Sequence, residues 1–172
     1  MRLKKHKKAD FSMSFNMLFS IILIAVFVAL AIYVINYFLK IQCSISLGSF
    51  KDNLQKEVDR MWKSDTTGKS NEKYRIGSIG RNCAEQICFF NTKDKKFKGI
   101  YSEQYDELIP YVLKQNNLYF YPIKKSSKLY FEIKNLDTSN IENNPQCFSV
   151  EKGIVKIPLE KGSSDALVKL SN

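Results

Sequence analysis

Residues 11–39 form a run of 29 positions without one charged side chain, and most of them are Leu, Ile, Val, Ala and Phe. Crossing the hydrocarbon core of a bilayer takes roughly 20 such residues, so this run is expected to cross a membrane as a helix. Five basic residues, Arg2, Lys4, Lys5, Lys7 and Lys8, precede it. Cationic flanks stay on the cytoplasmic side, which sets the N-terminus inside and the chain from about Lys40 outside the cell membrane. A cleaved secretory signal would have an apolar region of about 7 to 15 residues ending in a small-residue site. The run here is too long, and Asn36-Tyr37-Phe38-Leu39-Lys40 offers no such site.

Beyond the run the helical spacing continues. Phe50, Leu54, Val58, Met61 and Trp62 recur at steps of three and four with charged residues between them, which predicts an amphipathic helix within residues 40–66. Gly48 and Ser46 are candidate points for a kink. The polar stretch DTTGKSNEK reads as the turn that ends the helical region.

After it the period changes. Residues 74–79, 87–91, 118–123, 129–133, 147–151, 154–160 and 166–170 are short, aromatic or β-branched runs between turn residues, the pattern of strands. Lys152-Gly153 supplies a tight hairpin turn, and residues 124–128 a hairpin loop. A short helix is expected over residues 103–114, limited by Pro110, and NLDTSNIENNP reads as a polar loop. A half-buried sheet and an amphipathic helix cover each other's apolar faces. The expectation is an α+β chain: a basic tail (1–10), a transmembrane helix (11–39) continuing into an amphipathic helix (40–66), and a mainly antiparallel β-sheet domain (67–172).

The net charge of +10 invites a nucleic-acid partner. The densest basic cluster, however, is LKKHKK beside the span, where membrane topology accounts for it. From Lys40 onward 22 Lys and Arg stand against 16 Asp and Glu, dispersed as a solvated surface. No nucleic-acid partner is expected; the bilayer is.

All four cysteines, Cys43, Cys83, Cys88 and Cys147, fall on the outer side of this topology, where disulfides form. Three pairings exist, and spacing does not choose, although Cys83 with Cys88 closes the shortest loop and would leave Cys43 for Cys147. One C-x4-C with two isolated partners lacks the paired spacing of a zinc site.

Catalytic constellations are not apparent. The one histidine, His6, sits in the basic tail, GSIG at residues 77–80 has the wrong spacing for a nucleophile turn, and no phosphate-binding glycine loop occurs. The expectation is a protein that is not an enzyme and takes no cofactor or metal. The many aromatics, such as Tyr119-Phe120-Tyr121, are expected to fill the core on both sides of the sheet.

Within the apolar run, Ser12, Asn16 and Ser20 stand at i, i+4 and i+8 on one helical face, and Ala25 with Ala29 continues a small-residue theme near it. Small and polar residues on a membrane helix favour close helix–helix contact, so self-association is expected. The order of features, basic residues ending in Lys8-Ala9, an apolar helix running into an amphipathic one, then a strand-rich domain, resembles type IV pilin-like proteins with class III signal peptides, particularly those of archaea. That resemblance implies a peptidase cut between Ala9 and Asp10, with the helix kept on the mature protein and used for assembly. It also matches Ser12 to the serine often found shortly after the new terminus, whereas Ser14 stands at the fifth mature position, where the family often has an acid. What it implies is a cell-surface structural or assembly subunit. The alternative is a membrane-anchored outer domain that binds a protein or ligand.

Overall fold

The structure is a computed structural model and is described for residues 15–64, 66–77, 83–94, 96–112, 115–122 and 130–171. The chain divides into two compact units between Phe38 and Leu39. One helix, α1 (Phe15–Lys63), contributes to both. No proline and no glycine before Gly48 interrupts it, and neither Ser46 nor Gly48 ends it.

In the first unit α1 is bare. Every described side chain from Met17 to Phe38 is exposed. The helix is long and apolar enough to cross a bilayer.

In the second unit α1 turns an apolar stripe inward. Leu47, Phe50, Leu54, Val58 and Met61 are buried at the expected spacing, while Trp62 is left half exposed. Burying such a set contributes on the order of 10 kcal/mol before entropy is subtracted. Two contacts hold the edges of the helix. Gln55 pairs with the Lys134 backbone, its Oε1 accepting from the Lys134 N–H (2.9 Å) and its Nε2 donating to the Lys134 carbonyl (3.2 Å). The Lys161 ammonium donates to the carbonyls of Trp62 and Ser64 (2.6 and 2.7 Å), satisfying acceptors that the helix end leaves open.

The strands are β1 (Gly68–Ser70), β2 (Lys73–Arg75), β3 (Gln86–Phe89), β4 (Leu118–Tyr121), β5 (Tyr130–Phe131), β6 (Leu136–Asp137), β7 (Gln146–Ser149), β8 (Ile154–Lys156), β9 (Leu159–Lys161) and β10 (Val168–Leu170). They form an antiparallel sheet β5-β4-β3-β7, a two-stranded ribbon β2-β8, and a sheet β1-β9-β10-β6 whose β10–β6 pair is parallel. Ile87, Phe89, Leu118 and Phe120 join the α1 core, and Phe50 meets Phe120 edge to face at 5.8 Å. The opposite face of the same sheet carries Cys88, Tyr119 and Cys147. With Phe90 they make a second core under α2 (Ser102–Leu108) and the 3-10 turn Ile109–Tyr111. The run Tyr119-Phe120-Tyr121 therefore does point to both sides.

Several boundaries differ from the sequence expectation. The run 154–160 is two strands in different sheets, because Pro158 has no N–H to continue a ladder. The polar stretch after α1 holds β1, where Lys69 lies across from Glu160. The supposed loop after Asn135 holds β6, which β10 recruits as a partner. The helix after Tyr101 stops at Tyr111, one residue past Pro110, and residues 113–114 lie outside the described ones. Lys152-Gly153 does make the expected turn, with both residues at positive φ (51° and 75°) and Glu151 paired to Ile154. β4 and β5 pair as expected, while their connection over residues 124–128 lies outside the described residues.

The disulfides are Cys43–Cys83 and Cys88–Cys147, which corrects the shortest-loop pairing. Cys88 lies in β3 directly across from Cys147 in β7. Cys88 belongs to the second core, on the face of that sheet away from α1. Cys83 instead lies in the α1 core beside Cys43.

Candidate functional site

The candidate site is built from surfaces, because among the described residues no group of His, Cys, Asp or Glu is placed to hold a metal. Ala9, Asp10 and Ser12 lie outside the described residues. Asn16 falls within α1, and Ser20, Ala25 and Ala29 follow it on the exposed helix.

These positions do not make one stripe. At 3.6 residues per turn the nine steps from Ser20 to Ala29 are two and a half turns, which puts Ala25 and Ala29 across the helix from Asn16 and Ser20. The small residues thus form a second face. Asn36, seven residues after Ala29, continues that face and is exposed. Its amide, a polar group within the apolar run, is the sequence signal that marks this second face. Tyr33 and Tyr37 stack along the same helix with ring centres 6.5 Å apart.

In the second unit one polar group stands out by its burial. Glu57 is buried, and Arg60 one turn on grips it with a fork, Nε to Oε2 at 2.8 Å and Nη2 to Oε1 at 2.6 Å. The hydrogen bond from Arg60 holds the Glu57 carboxyl below its ordinary range, against the opposing effect of burial and with help from Ser70. The nearby Tyr74 hydroxyl is buried and has no hydrogen-bond partner among the described residues. Burial, and then the charges of Glu72 and Glu57, push its pKa upward, so it stays protonated near neutral pH. Neither group opens onto a described cleft; both belong to the packing between α1 and the strands.

A loop between β3 and α2 is more outward. The buried Asn144 accepts from the Asn91 N–H (2.9 Å) and donates to the carbonyls of Asp94 and Lys96 (2.6 and 3.0 Å). Gly99 has φ 98°, and a Cβ there would overlap the Asn143 side chain. This framework presents Phe97 and, at 78% exposure, Ile100 beside Lys96 and Lys98.

Comparison with known proteins yields no relative: no protein-family model matches the chain, no curated protein matches it, and no solved structure matches it.

Proposed function

We propose that the chain is a non-enzymatic, pilin-like subunit of a cell surface, anchored by α1 with its N-terminus in the cytoplasm and its disulfide-stabilised domain outside. The observation that carries this reading is α1 itself. One 49-residue helix exposes every described side chain over its apolar first half and seats its second half in the core of a folded domain. A simple anchor needs about 20 apolar residues and no polar ones. This helix has Asn16 and Ser20 on one face and Ala25, Ala29 and Asn36 on the other, which suits contact with neighbours on both sides. Contacts on two opposed faces propagate into a multi-copy assembly, whereas one face would close a dimer.

The exposed loop at Phe97 and Ile100 favours a second reading, an anchored domain that binds a partner. The N-terminal residue of the protein recovered from its native membrane separates the two. A mature terminus at Asp10 is expected for the subunit. An intact Met1 terminus would remove the processing step and leave the binding domain as the better description.

A further inference from the structure

The ribbon β2-β8 carries an uncommon charge arrangement. Its register sets Lys73 directly across from Lys156 and Arg75 across from Ile154, while Tyr74 and Val155 between them point into the core. Lys73, Arg75, Ile154 and Lys156 are all exposed, as is Lys152 in the adjoining turn. Like charges directly opposite on one sheet face destabilise the pair. None of these four cations has a side-chain hydrogen bond or ion pair among the described residues. Glu72 and Glu151 flank the ribbon without bridging to them.

The complementary charge lies on the same domain. Glu103 and Glu107 stand one turn apart on α2, and Glu85, just before β3, donates its N–H to the Tyr121 carbonyl (2.8 Å). The Tyr121 hydroxyl is pushed to a higher pKa by burial and by these three carboxylates. Gln104 Nε2 donates to Gln86 Oε1 at 2.9 Å, seating α2 at that end of the sheet.

Both patches start from the same level of α1. The end of the ribbon is tied there by the Gly77 N–H donating to Ser46 Oγ at 2.7 Å. Two residues before Glu85, Cys83 is bonded to Cys43. Ser46 and Cys43 are three residues apart, about 4.5 Å along the helix axis. The two patches therefore hang from neighbouring turns of α1, and no ion pair joins them within a chain among the described residues.

We propose that the cationic ribbon is a docking face for the acidic α2 face of a second, parallel copy of this chain. It rests on the assembly reading above and adds a second contact to the one made by the helices. A contact between two unlike patches leaves one of each free on every pair, so it extends along a row of copies.

Charge exchange tests it on the full chain in liposomes that mix isotopically heavy and light copies. Carbodiimide joins a lysine to a carboxylate only when they touch, and mass spectrometry of the joined peptides shows whether they came from different copies. Lys73 or Lys156 is expected to join Glu103 or Glu107 of another copy. Reversing the ribbon (K73E, R75E, K156E) or the acidic face (E85K, E103K, E107K) should lower the proximity of fluorophores on the domain at least tenfold, a readout that does not need the reacting groups these changes remove. Mixing the ribbon-reversed chain with the acidic-reversed chain should restore association, since each reversed patch then meets its opposite on the other chain, and placing both reversals in one chain should restore it as well, read as proximity of fluorophores on the domain. Five of the six positions are exposed and Glu107 is half-buried, and intact disulfides check the fold of each variant. Failure of the double reversal to restore proximity overturns the docking. A photo-reactive residue at Ala29 separates this from the parent reading: helix cross-links that persist without domain contact sink only the docking, and their absence sinks the assembly itself.

Discussion

At the residue scale the most informative side chains are polar ones that the fold has enclosed. Glu57 sits in a stretch that reads as a solvated helix edge, Lys56-Glu57, and only the fold shows Ser70 and Tyr74 closing over it. The Arg60 partner at i+3 was visible in the sequence, but the burial was not, because it depends on β1 forming where local composition favours a turn. The same holds for Asn117, whose amide pairs with both backbone groups of Ile133 (2.9 and 2.8 Å) and so replaces a rung of sheet. An amide with a remote backbone partner leaves no local pattern. Glu57→Gln keeps the shape and removes the charge, so it should lower stability at pH 7 by about 1–2 kcal/mol in a urea titration in detergent micelles. The carboxyl is held below its ordinary value of about 4.3, so its stabilisation is present above that value and is lost as pH falls through the folded-state value. The gap between wild type and variant should therefore close as the pH is taken below the ordinary carboxylate range. A gap that stays constant with pH would assign the effect to packing instead of charge.

At the element scale, apolar periodicity carried far. The stripe Phe50, Leu54, Val58 and Met61 is buried where its spacing put it, the Lys152-Gly153 turn has the φ values its residues suit, and β4 pairs with β5. The elements that escaped are β1, β6 and the division of β8 from β9. Each is two or three residues long and owes its existence to a neighbour supplied from far along the chain. Cysteine pairing belongs to the same class, since the register of β3 on β7 decides it and loop length does not. Peptide mapping makes that concrete. Cys83 and Cys88 share the tryptic peptide bounded by Arg81 and Lys93, so the observed bonds should yield one unreduced species of three peptides, joined through it to those of Cys43 and Cys147. Cleavage after Glu85 should then part the species into two pairs, Cys43 with Cys83 and Cys88 with Cys147. A looped peptide containing both Cys83 and Cys88 would instead restore the shortest-loop pairing. Closing loops of 40 and 59 residues, each bond is worth about 4 kcal/mol in the chain-entropy account.

At the scale of the whole molecule the sequence declared its two parts through one change of composition, and the division between Phe38 and Leu39 follows it within a residue of the last uncharged position. Less legible was the arrangement of small and polar residues around α1, because a list of such residues does not say which face each occupies until 3.6 residues per turn is applied over the full length. With that geometry Asn16 and Ser20 oppose Ala25, Ala29 and Asn36, and the faces become separately testable. Removing the Asn16 amide takes one potential interhelical hydrogen bond out of an apolar medium, typically 0.6 to about 2 kcal/mol. Asn16→Leu should accordingly weaken self-association about 3-fold to 30-fold, read by energy transfer between labelled copies as they are diluted in detergent. The domain should be untouched, since its core begins no earlier than Cys43 and its denaturation midpoint has no term from Asn16. Unchanged association in Asn16→Leu together with a loss in Asn36→Leu would move the contact to the Ala25, Ala29 and Asn36 face. Unchanged association in both would leave α1 as an anchor whose polar residues face lipid at a cost, and the assembly reading would lose its main support.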